Sequence, residues 1–485
     1  MSPFVEIQST FRPNRRSLMS LAAGAALTRG WRQATSVHAT QADHSGILAA
    51  VDEPGQSLAL IDHVTGDVRF RYDVGPRPNA AWGAALPGVA LVRTETSLAI
   101  IDANSGATLP VALPETVAPN LSPTGIQFRG SDGYERVLVG TPNSDADTYL
   151  IDLLTGERRS VVGLLGADKP PVSLQNVAVA ADDRHLLTWD GRTTWIVDLT
   201  SNTSRIIAPG QFTFSAGFSE NGSQLVYSQQ LANGSTQLRL QNSDGTGDLV
   251  IGESLTDILV SLWTPARDLL LLDERSDAGG VLAVFDPATA NREELLTYTG
   301  ATNVVQFSPD GRHALAGIEG EQGRDWYQLT LSLTEPSSRL LKGLEDAVIY
   351  PGFEFDAAWA LATPPVTEMI SGTVKAVDLT SGAVSDLISG IATDALLSGQ
   401  IVAPTGNAAL LTIDSFTELA VHFLRLDDPV DIAIDLMKGG SGVIAPDGSG
   451  FAISHNLNTG GSATVVYDQT GAEGATFPGR ALTWI

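Results

Sequence analysis

An all-β fold, a β-propeller of four-stranded antiparallel blades, is what this sequence predicts, and three observations carry the prediction. A tight turn between short apolar runs recurs along the chain and is complete once, as Ser308-Pro309-Asp310-Gly311. A second turn, Asp-x-x-Thr/Ser-Gly, alternates with it, and together they mark a unit of roughly 40 to 50 residues, the period at which propeller blades are the first architecture to consider. The composition agrees, because 48 Gly, 25 Pro and only 17% charged residues suit short strands joined by tight turns.

The first forty residues differ from the rest. Arg15-Arg16-Ser17-Leu18-Met19 leads into an alanine-rich apolar run, and small residues follow to Val37-His38-Ala39, the three-part pattern of an export signal. The paired arginines resemble a twin-arginine signal, and Arg29 and Arg32 resemble the basic residues such signals carry before cleavage. Ser20 departs from the lysine common in those signals, and a general secretion signal is the other reading. The expected organisation is a signal peptide over 1–39, a linker over 40–46 and a propeller over 47–485. The resemblance implies export of an already folded, bacterial protein to an extracytoplasmic place: periplasm, cell surface or medium.

Beyond Ile47, the first turn returns in degenerate form as Leu121-Ser122-Pro123-Thr124-Gly125, Ser219-Glu220-Asn221-Gly222, Ala403-Pro404-Thr405-Gly406 and Ala445-Pro446-Asp447-Gly448. Proline presets φ, the aspartate accepts hydrogen bonds from following amides, and glycine takes the positive φ that closes the turn. The second turn is better kept, as Asp62-His63-Val64-Thr65-Gly66, Asp102-Ala103-Asn104-Ser105-Gly106, Asp152-Leu153-Leu154-Thr155-Gly156 and Asp378-Leu379-Thr380-Ser381-Gly382. In the copy at Asp198, Asn202 replaces glycine, and asparagine is the side-chain-bearing residue most tolerant of the left-handed region. Short apolar strands are expected between the turns, for example over 57–61, 98–101 and 375–377. The orphan strand 480–485 is expected to complete the first blade, which lacks an innermost strand of its own, and so to remove open edges. One ring of about ten blades is the preferred count, with two smaller rings dividing near 252–256 as the alternative.

These turns resemble the TolB-like and WD40-like (PD40-type) propeller repeats: 307–317 matches that repeat closely, and Asn242-Ser243-Asp244-Gly245-Thr246-Gly247 looks like its second turn. The resemblance implies an architecture that serves many functions, so function has to be argued from a site.

Charge excludes one class of partner. The chain carries a net −26, which becomes −30 beyond residue 39, and such a surface repels phosphate backbones. No nucleic-acid partner is therefore expected. No window after the signal is apolar enough to span a membrane. The absence of cysteine excludes disulfides, thiolate metal sites and a cysteine nucleophile.

Few motifs suggest chemistry. Asn242-x-Asp244-x-Thr246 falls on positions of a calcium loop but fits the propeller turn better, and Asn143-x-Asp145-x-Asp147 is a second acidic cluster. No cofactor is predicted, and calcium is the one candidate ion. His185 and His313 occupy matching places in separate blades, while His422 and His455 remain weak candidates. Neither a Gly-x-Ser-x-Gly elbow nor a Gly-Lys-Ser/Thr phosphate loop occurs. The tryptophans, among them Trp82, Trp263, Trp326, Trp359 and Trp484, are expected to pack between strands.

What remains is the face of the ring opposite the short turns. Acidic segments over 141–147, 273–280, 319–325, 363–372 and 414–418 read as variable loops there, and variable loops on a rigid scaffold are where binding usually resides. Asp273, Glu274 and Asp277 are expected to form a ligand-facing rim suited to a cationic ligand. The expected function is a binding or scaffold module for a protein, peptide or cell-envelope glycan. The alternative is a propeller enzyme, a lactonase-like hydrolase or lyase, with a carboxylate-lined and calcium-using site at the channel mouth.

Overall fold

Strands form in the computed structural model where apolar and β-branched runs lie between turn residues. The structure describes residues 46–484 apart from 52–56, 73–79, 84–88, 94–97, 104, 113–125, 129–135, 141–146, 167–176, 181–183, 190–192, 209–212, 220, 255–257, 265–266, 277–278, 321–322, 346, 351–357, 365–371, 392–394, 404–405, 416–418, 437–439 and 458–460. Among the described residues, strands group into ten four-stranded antiparallel sheets, each built in chain order except the first. Blades 2 to 10 occupy 80–111, 126–160, 177–208, 213–254, 258–298, 301–340, 348–388, 396–435 and 440–478. The export signal, with Arg15 and Arg16, lies outside the described residues.

Blade 1 is a composite of both ends of the chain. Its order is Val68–Tyr72, Ser57–Asp62, Gly46–Val51, Arg480–Trp484, so the C-terminal strand supplies the innermost position. Ile47 lies opposite Trp484 and Ala50 opposite Arg480. Ala481 donates its N–H to Ser454 Oγ of blade 10 at 3.0 Å, which ties the closing strand to its other neighbour. The expected closure is therefore present, and the first described strand begins at Gly46.

A closed cycle of apolar interfaces decides between one ring and two. Each hydrophobic cluster joins one blade to the next, from blades 1 and 2 through to blades 9 and 10. The last, with Ala452 and Phe477 of blade 10 against Ile61 and Trp484 of blade 1, returns to the start. Blades 5 and 6, where a division into two rings would fall, share the cluster of Val226, Leu240, Trp263 and Leu270. The chain is a single ring.

Two further kinds of contact reinforce several of these seams. Buried tryptophans cross them, as Trp326 Nε1 donates to Ala347 O at 2.9 Å and Trp263 Nε1 to Gly217 O at 3.2 Å. The fourth strand of one blade also clasps the Asp-x-x-Thr/Ser-Gly turn of the next. Phe70 of blade 1 lies against Gly106, Arg205 donates to Ser243 O at 3.0 Å, and Arg339 donates to the carbonyls of Ser381 (2.8 Å) and Gly382. Gly106, at φ 74°, has both the backbone conformation and the missing Cβ that this docking requires. Among the described residues, a short helix, Val161–Leu165, follows the last strand of blade 3 and was not foreseen from sequence.

Candidate functional site

Antiparallel pairing sends the 1–2 and 3–4 turns of every blade to one end, and the 2–3 hairpin and the link to the next blade to the other. On the turn face the repeated aspartates are occupied by the backbone. Asp62 Oδ1 accepts from the N–H groups of Val64 (2.8 Å) and Thr65 (3.0 Å), Asp198 Oδ1 from Thr200 (2.8 Å) and Ser201 (3.1 Å), and Asp378 Oδ1 from Thr380 (2.8 Å) and Ser381 (3.2 Å). The Thr65 amide and the Arg69 guanidinium hold the Asp62 carboxyl at about 2, and Arg184, with the turn amides, does the same for Asp198.

Of the two calcium-like segments, the first is described throughout and the second only at Asp147. Asp244 Oδ1 accepts from the N–H (2.8 Å) and Oγ–H (2.7 Å) of Thr246, so 242–247 is the propeller turn that its spacing suggested. Asn143 and Asp145 lie outside the described residues. Asp147 accepts from Ser160 Oγ and, at 3.3 Å, from Val162 N–H, at the start of the short helix. Among the described residues, no group of three or more His, Asp or Glu is placed to hold a metal ion. His185 and His313 open the second strands of blades 4 and 7, as the repeat implied. His422 is buried and its Nδ1 lies 2.7 Å from Asp431 Oδ1.

On the opposite face, the described residues near the 2–3 hairpin of blade 6 show that the expected rim needs correction. The segment 273–280 is not a loop: Leu270–Ser276 and Gly279–Asp286 are the second and third strands of blade 6. Asp273 and Glu274, being consecutive on a strand, point to opposite sides of the blade. Asp277 lies outside the described residues. Asp273 is only 4% exposed and faces blade 7. Its carboxylate accepts from Tyr298 Oη (2.5 Å), Thr302 Oγ1 (2.5 Å) and Arg275 Nε (2.6 Å). Burial and the neighbouring Asp273 charge both push the Tyr298 hydroxyl well above its ordinary pKa. Burial pulls the Arg275 guanidinium down, but Asp273 and Tyr298 outweigh it and raise its pKa.

Glu274 is matched as well. Arg292 of the fourth strand reaches it through Nε (3.2 Å) and Nη2 (3.1 Å), and reaches Glu294 through Nη1 (3.2 Å). On blade 7, Glu319 pairs with Arg324, whose guanidinium lies 5.7 Å from the Trp326 ring centre. The segment 319–325 is likewise mostly strand, with Gly320 opposite Gly323. The second strand of blade 6 thus carries matched charges on both of its sides, and Asp273 and Glu274 do not form a bare carboxylate rim. Sequence reasoning missed Arg275, Tyr298, Thr302, Arg292 and Arg324. The one local signal was the alternation Asp273-x-Arg275, which places both side chains on one strand face.

Comparison with known proteins supports the fold and leaves the function open. No protein-family profile matches the chain, and no curated protein matches it. Solved structures do. A eukaryotic initiation factor is similar at a TM-score of 0.51 and 12% identity, over 90% of this chain and 96% of that one. An oligogalacturonate lyase in complex with manganese gives a TM-score of 0.41 at 15% identity, over 68% of this chain and 96% of that one. TolB from Acinetobacter baumannii gives 0.27 at 13% identity, over 61% of this chain and 79% of that one. At such identities the likeness concerns the β-propeller architecture alone.

Proposed function

We propose that the chain is an exported, extracytoplasmic propeller that serves as a binding or scaffold module for a protein, peptide or cell-envelope glycan. The observation that carries this reading is the pair of fixed charge clusters on the two sides of the second strand of blade 6, near its 2–3 hairpin. Asp273 is held by Arg275, Tyr298 and Thr302, and Glu274 by Arg292. The partly exposed Glu274 and Arg292 are preorganised for recognition, because their rotamers are set before a ligand arrives, while the buried Asp273 cluster stiffens the strand that carries them. The alternative is a lactonase-like hydrolase or a lyase with a carboxylate-lined, calcium-using site at the channel mouth, and a divalent cation bound on the ring axis would favour it.

Binding is tested by screening the full chain against sheared peptidoglycan and an array of cationic and anionic peptides. The screen is repeated with the Glu274→Gln/Arg292→Gln/Arg324→Gln variant and with the turn-face variant Asp244→Asn. Loss of a binder in the first variant alone supports the assignment. Loss through the turn face, or turnover of a lactone or polyuronate by the purified chain, refutes it. Export is tested with Arg15→Lys/Arg16→Lys, which should leave the chain uncleaved in the cytoplasm, and unchanged export would remove the twin-arginine reading.

A further inference from the structure

The outer rim of the ring holds a second candidate surface, independent of the hairpin face. Each blade ends in a fourth strand that pairs with the third on one side only. Such edges invite pairing with foreign strands, and proteins blunt them with charge or proline. This ring does so at Pro110 in blade 2, Glu293 in blade 6, Asp431 and Asp435 in blade 9, and Pro478 in blade 10. Blade 5 differs. Its edge, Leu249–Ser254, reads LVIGES, so its first four residues carry neither device, and one bulge at Ile251 is the sole irregularity in its pairing with the third strand. Leu249 is 45% and Val250 39% exposed, although they are consecutive on a strand and face opposite ways.

We propose that the edge strand of blade 5 is a docking surface for an extended segment of another protein, with β-branched residues at its centre and a basic residue at each end. The backbone would pair strand to strand, and the charge pattern selects the occupant. Asp248 stands just before the apolar stretch and Glu253 near its end, a separation of about 17 Å at a strand's rise per residue. Glu253 is held by Gln237 Nε2 at 3.1 Å and Asp248 by Arg239, so both carboxylates are fixed. The chain's net −26 adds attraction for a basic partner. A second copy is disfavoured by the same charges. Antiparallel self-pairing about Ile251 would set Glu253 of one copy one position from Asp248 of the other, between two strongly acidic rings.

The test uses the full chain and a fluorescent hexapeptide, Lys-Val-Thr-Val-Ile-Lys, with a Glu-ended version and a version carrying proline at its second position. Anisotropy should show saturable binding of the Lys-ended peptide alone, weakening as salt rises. The Leu249→Lys/Val250→Lys variant should bind about tenfold more weakly or worse, since it places two like charges against the peptide. Leu340→Lys, at an exposed apolar position on the edge of blade 7, should bind as the parent does. In the parent, amide exchange over 249–254 should slow when the Lys-ended peptide is added, which checks the assignment without relying on the variant's folding. Equal binding of the Glu-ended peptide, unchanged affinity in the double variant, or unchanged exchange over 249–254 would overturn the proposal. So would a dimer that Leu249→Lys/Val250→Lys dissociates, because a second copy would then be the occupant.

Discussion

If the 3–4 turn of each blade is a clasp and not merely a bend, alanine at Gly106 should cost more than alanine at a glycine of similar conformation with nothing above it. Gly106 has φ 74°, and a Cβ there would lie 2.5 Å from Phe70 Cδ1 and 2.8 Å from Cε1. Gly234, in the 2–3 hairpin of blade 5, has φ 86° and nothing within 4 Å of its would-be Cβ. Both substitutions meet the left-handed penalty of about 1–2 kcal/mol, less about 0.4–1 kcal/mol from the stiffer unfolded chain. Only Gly106→Ala must also displace a packed ring, an overpacking cost of about 1–3 kcal/mol. The expected totals are about 1 kcal/mol for Gly234→Ala and about 2–4 kcal/mol for Gly106→Ala. Urea unfolding, compared at equal m-values, measures both. A double-mutant cycle with Phe70→Ala isolates the contact, because with the ring removed Gly106→Ala should fall to the cost of Gly234→Ala. Equal costs for the two glycine variants, or a coupling energy near zero, would refute the clasp.

Three further outcomes follow from the geometry. Asp273→Asn should destabilise by about 2–4 kcal/mol, since it leaves Arg275 with a weakened partner at a nearly dry site, and its thermal melt should fall clearly below that of Glu274→Gln. Asp62 and Asp198 have folded-state pKa values of about 2, below the ordinary 3.8. Their contribution is therefore complete above about pH 4 and is lost as pH falls toward 2, so Asp62→Asn/Asp198→Asn should flatten the stability profile in that window, modestly because both are screened by solvent. Trp484→Ala should cost about 3–5 kcal/mol, because this nearly buried ring fills the seam between blades 10 and 1. Removal of 480–485 should leave a chain that aggregates through its opened first blade, and an unchanged melt in either case would argue against closure by this strand.

The architecture was legible because its signals are local. Positive-φ positions such as Gly66 and Gly382 and the aspartates that cap the same turns sit within five residues of one another, and they repeat. Even Asn202, at φ 53°, could be assigned from one exchange in that pattern. The site was not legible for the opposite reason. Asp273-Glu274-Arg275-Ser276 is polar enough to read as a loop, and it is strand because Tyr298 and Thr302, distant in sequence, satisfy the buried carboxylate. Likewise nothing near Gly106 announces that Phe70 of the preceding blade will rest on it. Contacts between blades are set by the ring, which no window of sequence contains.

The strand exchange in blade 1 has a consequence for timing. Nine blades are assembled from consecutive strands and can form as they are made, but Gly46–Val51 waits for a partner more than four hundred residues away. Loop-closure entropy for such a span is paid once and late. Until residues 480–484 arrive, the innermost position of blade 1 is empty beside the chain's amino-terminal segment, with backbone donors and acceptors unpaired. The strand Arg480–Trp484 therefore works as the closing contact: a chain that has made every other contact still lacks the inner edge of blade 1 beside Gly46–Val51.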